Sequence, residues 1–186
     1  MSLNIRFPDS SPEEVPGEIL VLFHFEDQLL PQGDLARVDW ILNGVIGQLL
    51  YGGRFAGLPL QSLLLSSSGK LSVEKVLVLG LGRRSELTWD HLLQAYSQAA
   101  FQSAKMRAGG IALTIPEVAF ESLPDDGGEK ILRAVLRGTI RGEMSACHLN
   151  LAFLNLDLGR RDLLRDHLRG AVPRISEEFS TEASFS

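Results

Sequence analysis

Apolar residues fall along this chain in two rhythms: near-continuous runs of strand length, and stripes spaced three and four residues apart. Glu18 to Phe25 (EILVLFHF) and Lys75 to Gly80 (KVLVLG) are runs of the first kind, as expected of strands covered on both faces. Asn4 to Phe7 alternates briefly before Pro8, Pro12 and Pro16, which predicts a short edge strand and then a turn-rich stretch. Leu60 to Leu65 reads as a strand separated from the Lys75 run by a polar turn, Ser66 to Ser72. Gly110 to Ile115, stopped by Pro116, and His148 to Leu156 complete the predicted strands.

The second rhythm predicts helices. Leu35, Val38, Leu42, Val45, Ile46 and Leu49 write one stripe along a rod of about four turns, with Asp34 as its N-cap. Thr88 caps a second helix striped by Leu92, Leu93, Tyr96, Ala99, Ala100 and Ala104, with Lys105 and Arg107 near its carboxyl end. Glu129 to Arg141 turns Ile131, Leu132, Val135, Leu136 and Ile140 inward, and Arg160 to about Phe179 is a last helical stretch interrupted at Pro173. The order β-β-α-β-β-α-β-α-β-α demands an α/β fold of three layers, a mixed central sheet of about six strands with helices on both faces. Residues 1–180 are expected to form one domain, and 181–186 a frayed tail.

Gly44 and Gly47 interrupt the first helical stripe, and each costs about 1 kcal/mol relative to alanine inside a helix. Three explanations stand: close approach to a neighbouring strand, space for a ligand beside Asn43, or a helix that ends early.

With 186 residues, 45% hydrophobic and 22% charged, the chain can bury a core without metal or disulfide, and its one cysteine, Cys147, has no internal bridging partner. No apolar run approaches the roughly 18–20 residues of a membrane span, and the polar, proline-punctuated start lacks the layout of a secretory signal, so a cytoplasmic address is expected. The net charge of −5 repels phosphate backbones. Nucleic acid is therefore an unfavoured partner, although Arg133, Arg137 and Arg141 form a stripe and Arg160, Arg161, Arg165 and Arg169 a second basic cluster, which leave a DNA-binding accessory as a further alternative.

Candidate chemistry is sparse. His24, His91, His148 and His167 stand singly, none at zinc-ligand spacing, and Cys147 beside His148 shows no orienting third group. Catalytic residues, metal ligands and cofactors are accordingly read as none. Gly69-Lys70 is no P-loop, since Leu71 stands where the hydroxyl residue belongs. The best phosphate signal is Gly80-Leu81-Gly82-Arg83-Arg84-Ser85, directly after a strand. Ser85 replaces the third glycine of a dinucleotide fingerprint, yet a Gly-x-Gly strand end brings backbone amides, and here Arg83 and Arg84, to the sheet edge where α/β folds bind ligands. The candidate ligand residues are thus Gly80, Gly82, Arg83, Arg84, Asn43 and Gly44.

Glu18 to Asp27, the helix with Asp39 and Gly44, the Arg54-Phe55-Ala56-Gly57 exit, Lys75 to Gly82 and Glu86-Leu87-Thr88 together resemble the N-terminal domain of leucyl aminopeptidases, the M17 metallopeptidase family. Gly138-Thr139-Ile140-Arg141-Gly142 resembles a helix near the end of that domain, and the likeness runs from about residue 3 to 180. It implies a macro-like fold. In that family the metals and catalytic residues belong to a separate C-terminal domain with an N-T-D-A-E-G-R-L type motif, so the resemblance assigns no such role to any position here. Macro domains also bind ADP-ribose, and Gly33 to Asp39 leading into Trp40 to Leu50 resembles their glycine-rich loop and helix. His24, Phe25 and Glu26, however, stand where macro domains present asparagines, and Gly33 stands where they have several glycines. The expectation is a noncatalytic, stand-alone domain with an assembly, regulatory or interaction role, as a homo-oligomer or with a partner protein, the alternative being a nucleotide or ADP-ribose binder.

Overall fold

The computed structural model describes residues 1–120, 124–144, 148–154 and 156–185. Its strands are β1 (Ser2–Arg6), β2 (Gly17–His24), β3 (Ser62–Ser66), β4 (Val73–Gly80), β5 (Gly110–Thr114), β6 (His148–Leu154) and β7 (Glu182–Phe185), joined in one sheet of order β3-β4-β2-β5-β6-β1-β7. β3 runs antiparallel to β4 and every other pairing is parallel, so the sheet is mixed, as expected, but the β3–β4 hairpin alone makes it so. β1 and β2, consecutive in sequence, are not neighbours.

Helices cover both faces. α3 (Trp89–Lys105), α5 (Gly127–Arg141) and α6 (Leu158–Phe179) enclose the larger core, in which Tyr96, Ile131, Val135 and Leu168 pack on Ile19, Val21, Leu77 and Leu79. α1 (Gly33–Ile41) and α2 (Val45–Tyr51) enclose the smaller one, where Val38, Ile46 and Phe55 meet Leu20, Leu22, Val76 and Val78. Along Ile19–Leu22 and Val76–Leu79 odd and even residues thus serve opposite cores, which is why those stretches carry no polar face. A short helix, α4 (Glu117–Phe120), follows β5.

Three elements differ from expectation. The four-turn rod is two helices, because Asn43 and Gly44 both adopt left-handed backbone, φ 63° and 74°. The Asp39 carboxylate then caps the second helix from within the first, accepting from the Ile46 amide at 2.7 Å and the Gly47 amide at 3.1 Å. Asp39→Ala is expected to cost about 1–2 kcal/mol, measurable as a lowered denaturant midpoint. Secondly, α6 runs through Pro173 unbroken: Leu164, Leu168, Ala171 and Ile175, all fully buried, anchor it on both sides of the missing N–H. Thirdly, Glu182–Phe185, within the segment expected as a frayed tail, pairs in parallel with β1. β1 consequently lies inside the sheet rather than at its edge.

Candidate functional site

The carboxyl ends of β2, β4 and β5 rise to one edge of the sheet, the place where ligands settle in α/β folds. The Gly80-Leu81-Gly82 corner arrives there as the sequence requires, but its amides are spoken for. Gly80 donates to the Gln61 carbonyl at 2.8 Å, Leu81 to His24 at 2.9 Å and Gly82 to Gly57 at 2.9 Å. A Cβ on Gly80 would stand 2.1 Å from the Leu58 carbonyl oxygen and 2.4 Å from the Gly57 carbonyl carbon. Glycine is needed there so that the 57–59 loop can lie against the strand end, not to expose amides to a phosphate. This corrects the expectation that the corner offers bare donors.

The arginines that follow diverge. Arg83 turns towards Glu26, its Nε 3.9 Å from the carboxylate, while Arg84 lies over the Phe25 ring, 5.1 Å from its centre, and donates its amide to Asp27. Arg84 borders an open cleft of about 360 Å³ between the ends of β2 and β5 and the start of α1, lined also by Gln28, Gln32, Gly33, Asp34, Thr114 and Glu117. The first turn of α1, which Gln32 does not cap with its side chain, borders this cleft. Asp34 occupies that same turn. Desolvation holds its carboxyl above the ordinary range, with Arg37 acting against the shift. The two carboxylates of the cleft each have a cation other than Arg84: Arg37 acts on Asp34, and Arg160 lies 3.5 Å from Glu117.

Asn43 and Gly44 are not brought to this edge. Asn43 borders a separate depression with Leu65 to Ser68 and Lys70, next to the start of β4, where Ser66 pairs with Lys75. Five residues of strand, about 17 Å, separate Lys75 from Gly80. A Cβ on Gly44 would meet nothing within 4 Å, so the early end of the helix accounts for this glycine.

His24 sits directly beside Gly80 in the sheet, fully buried, its ring 5.9 Å from that of Phe55. Burial pushes the imidazole below its ordinary value of 6.5, against the opposing influences of the Gln28 backbone and Asp27. The folded protein then binds fewer protons here than the unfolded chain. Stability is expected to be full above about pH 6.5 and to decline as pH falls from there through the folded-state value. Urea midpoints between neutral pH and about pH 5 measure this slope, and His24→Gln, neutral throughout, should flatten it.

Elsewhere the basic stripes are largely met by acids of the same surface. Arg133 pairs with Glu129 and Glu178, Arg137 lies 3.8 Å from Glu178, Arg161 bonds Asp9 at 2.9 Å and Arg165 reaches Asp162 at 3.4 Å, while Arg141 and Arg169 lie over Phe101 and Phe185. Arg174 holds the Glu129 carboxyl below its usual range. Cys147 of the Cys147–His148 pair lies outside the described residues. His148 contacts the Ser2 hydroxyl at the opposite end of the sheet. Among the described residues, no group of three or more His, Cys, Asp or Glu side chains is placed to hold a metal ion, and no helix is long and apolar enough to cross a membrane.

The cleft residues Gln28, Gln32, Thr114 and Glu117 escape the sequence reading because they come from two segments more than eighty residues apart with no motif between them. Pro116, two residues beyond β5, is the nearest local hint that the chain turns at this edge.

A sheet of this order, with its crevice between the ends of β2 and β5, defines a macro-like α/β fold. The Oceanobacillus iheyensis macrodomain with MES bound superposes with a TM-score of 0.65 at 8% identity, covering 89% of this chain and 90% of that one. The Trypanosoma brucei macrodomain in complex with ADP gives 0.63 at 13%, covering 90% and 69%. A point mutant of tomato leucine aminopeptidase gives 0.64 at 18%, covering 92% of this chain and 35% of that one. At these identities the likeness concerns the fold. The sequence itself matches the model of the cytosol aminopeptidase family, N-terminal domain, over residues 21–147, and the chain belongs to that family. A probable cytosol aminopeptidase of Geobacter sp. (strain M21) is 31% identical over 144 residues, 77% of this chain and 27% of the relative. One of Cyanothece sp. (strain PCC 7425 / ATCC 29141) is 27% identical over 114 residues, 61% of this chain and 23% of the relative. The chain spans about a quarter of the length of these curated relatives.

Proposed function

We propose that this domain serves assembly or interaction within the cytosol aminopeptidase family, as a noncatalytic module, and that its working surface is the β3 edge of the sheet. The observation that carries this reading is the character of that edge. β3 pairs on one side only, and between Arg54 and Lys70 no side chain is charged. Leu58, Leu60 and Leu64 stand 41–46% exposed along it. Proteins ordinarily blunt such edges with charge or proline, and an apolar edge left bare is suited to a partner. A cytoplasmic address accords with the names of the relatives. The purified chain should leave leucine p-nitroanilide intact with added manganese or zinc; hydrolysis abolished by a chelator would overturn the noncatalytic reading.

The second reading is a nucleotide binder, favoured by the cleft at the carboxyl ends of β2 and β5 and by its Arg84. Macrodomain neighbours of the same fold are described in complex with ADP and with ADPR. Calorimetry with ADP-ribose decides: heat that vanishes in Arg84→Ala supports this reading, and no heat removes it.

A further inference from the structure

The outward side of β3 has a geometry of its own. Towards β4, the Gly80 amide donates to the Gln61 carbonyl at 2.8 Å and the Ser67 amide to the Glu74 carbonyl at 2.9 Å. Both belong to the register in which Leu64 faces Leu77, so the odd-numbered residues of this ladder spend their polar groups on β4. By the same alternation, the N–H and C=O groups of Ser62, Leu64 and Ser66 point out of the sheet. The strand reads Ser-Leu-Leu-Leu-Ser, identical in both directions.

Resting on the interaction reading above, we infer that the partner of this edge is a second copy of the chain, whose β3 pairs antiparallel with β3 about a two-fold axis through Leu64. Antiparallel pairing about that axis sets Leu64 opposite Leu64, Ser62 opposite Ser66 and Leu63 opposite Leu65, so every cross-strand pair is of like with like on both faces. All the outward-pointing groups find partners, because the residues that face out in one copy are those that face out in the other. A slip of one residue would set outward groups against residues already bonded to β4. This is the isologous, self-complementary patch that two-fold dimers use. Charge points to the same occupant, since a body of net charge −5 approaches its own copy at least cost through a face with no charge of its own. A five-residue strand offers less than the roughly 1,200 Å² typical of stable complexes, so the association is weak and concentration-dependent.

The test uses the whole chain. Sedimentation velocity over rising concentration should show the mass moving from 20.4 kDa towards twice that value. Leu64→Lys, which sets two like charges together on the axis, should hold it at the monomer. Leu64 is 46% exposed, so the variant should keep the parent circular dichroism and melting profile. In a Cys147→Ser background, Leu64→Cys should form a disulfide-linked dimer under mild oxidation, because hydrogen-bonded antiparallel partners have Cα atoms about 5.5 Å apart. Ser62→Cys should not, because its symmetry mate lies about four residues away along the strands. A monomer at every concentration without crosslinking overturns the second-copy inference. So does association that survives Leu64→Lys, or equal crosslinking from Leu64→Cys and Ser62→Cys. Failure of the underlying reading shows separately, as chelator-sensitive peptidase activity or as binding of ADP-ribose without self-association.

Discussion

Gly80→Ala is expected to lose about 3 kcal/mol of stability or more, among the largest effects of any single methyl group in this chain. The added carbon would stand 2.1 Å from the Leu58 oxygen, and both atoms that obstruct it most closely belong to backbone. Neither can rotate away. Relief requires the 57–59 loop to lift, breaking the bonds from Gly82 to Gly57 and from Leu60 to Gly80. Gly170→Ala makes the contrast: a Cβ there meets nothing within 4 Å, and alanine inside α6 should stabilise by up to about 1 kcal/mol. Chemical denaturation of both variants reads the difference. A Gly80→Ala protein as stable as the parent would mean that the loop does not rest on the strand end.

Phe55→Ala is expected to cost about 3–5 kcal/mol. The ring is 1% exposed and fills the smaller core with Ile46, Leu22 and Val78. It also walls in His24. Its loss should admit water beside the imidazole and let the titration of His24 return towards its ordinary value of 6.5. The two readouts are independent, a denaturant midpoint and an NMR titration of one histidine ring. Destabilisation without any move in the titration would show that His24 is desolvated by something other than Phe55.

Parts of this fold are legible in the sequence and parts are not. β2 and β4 are legible because burial on both faces leaves a continuous apolar run, and α3 because its cap, stripe and basic end all agree, with Thr88 accepting from the His91 amide. The break between α1 and α2 is hidden because Leu42, Val45, Ile46 and Leu49 keep helical spacing across it. Only Asn43-Gly44, with Asp39 four residues before Asn43, carries the signal. β7 is illegible for another reason. Its Glu-Ala-Ser-Phe has little strand character, and it is ordered by the edge that β1 offers. The Gly-x-Gly corner is found by its local pattern, but its meaning lies in the 57–59 loop some twenty residues upstream, which no local pattern connects to it. Likewise, the palindrome of β3 is plain in the sequence, while the parity that turns Ser62, Leu64 and Ser66 outward is fixed only by the register with β4.

The open edge of β3 is the surface through which we infer that this domain meets its own copy. Amide hydrogen exchange measured residue by residue at rising protein concentration tests that most directly. The amides of Ser62, Leu64 and Ser66 should slow together as concentration rises and recover on dilution. Rates at those amides that stay constant across the whole range would contradict it.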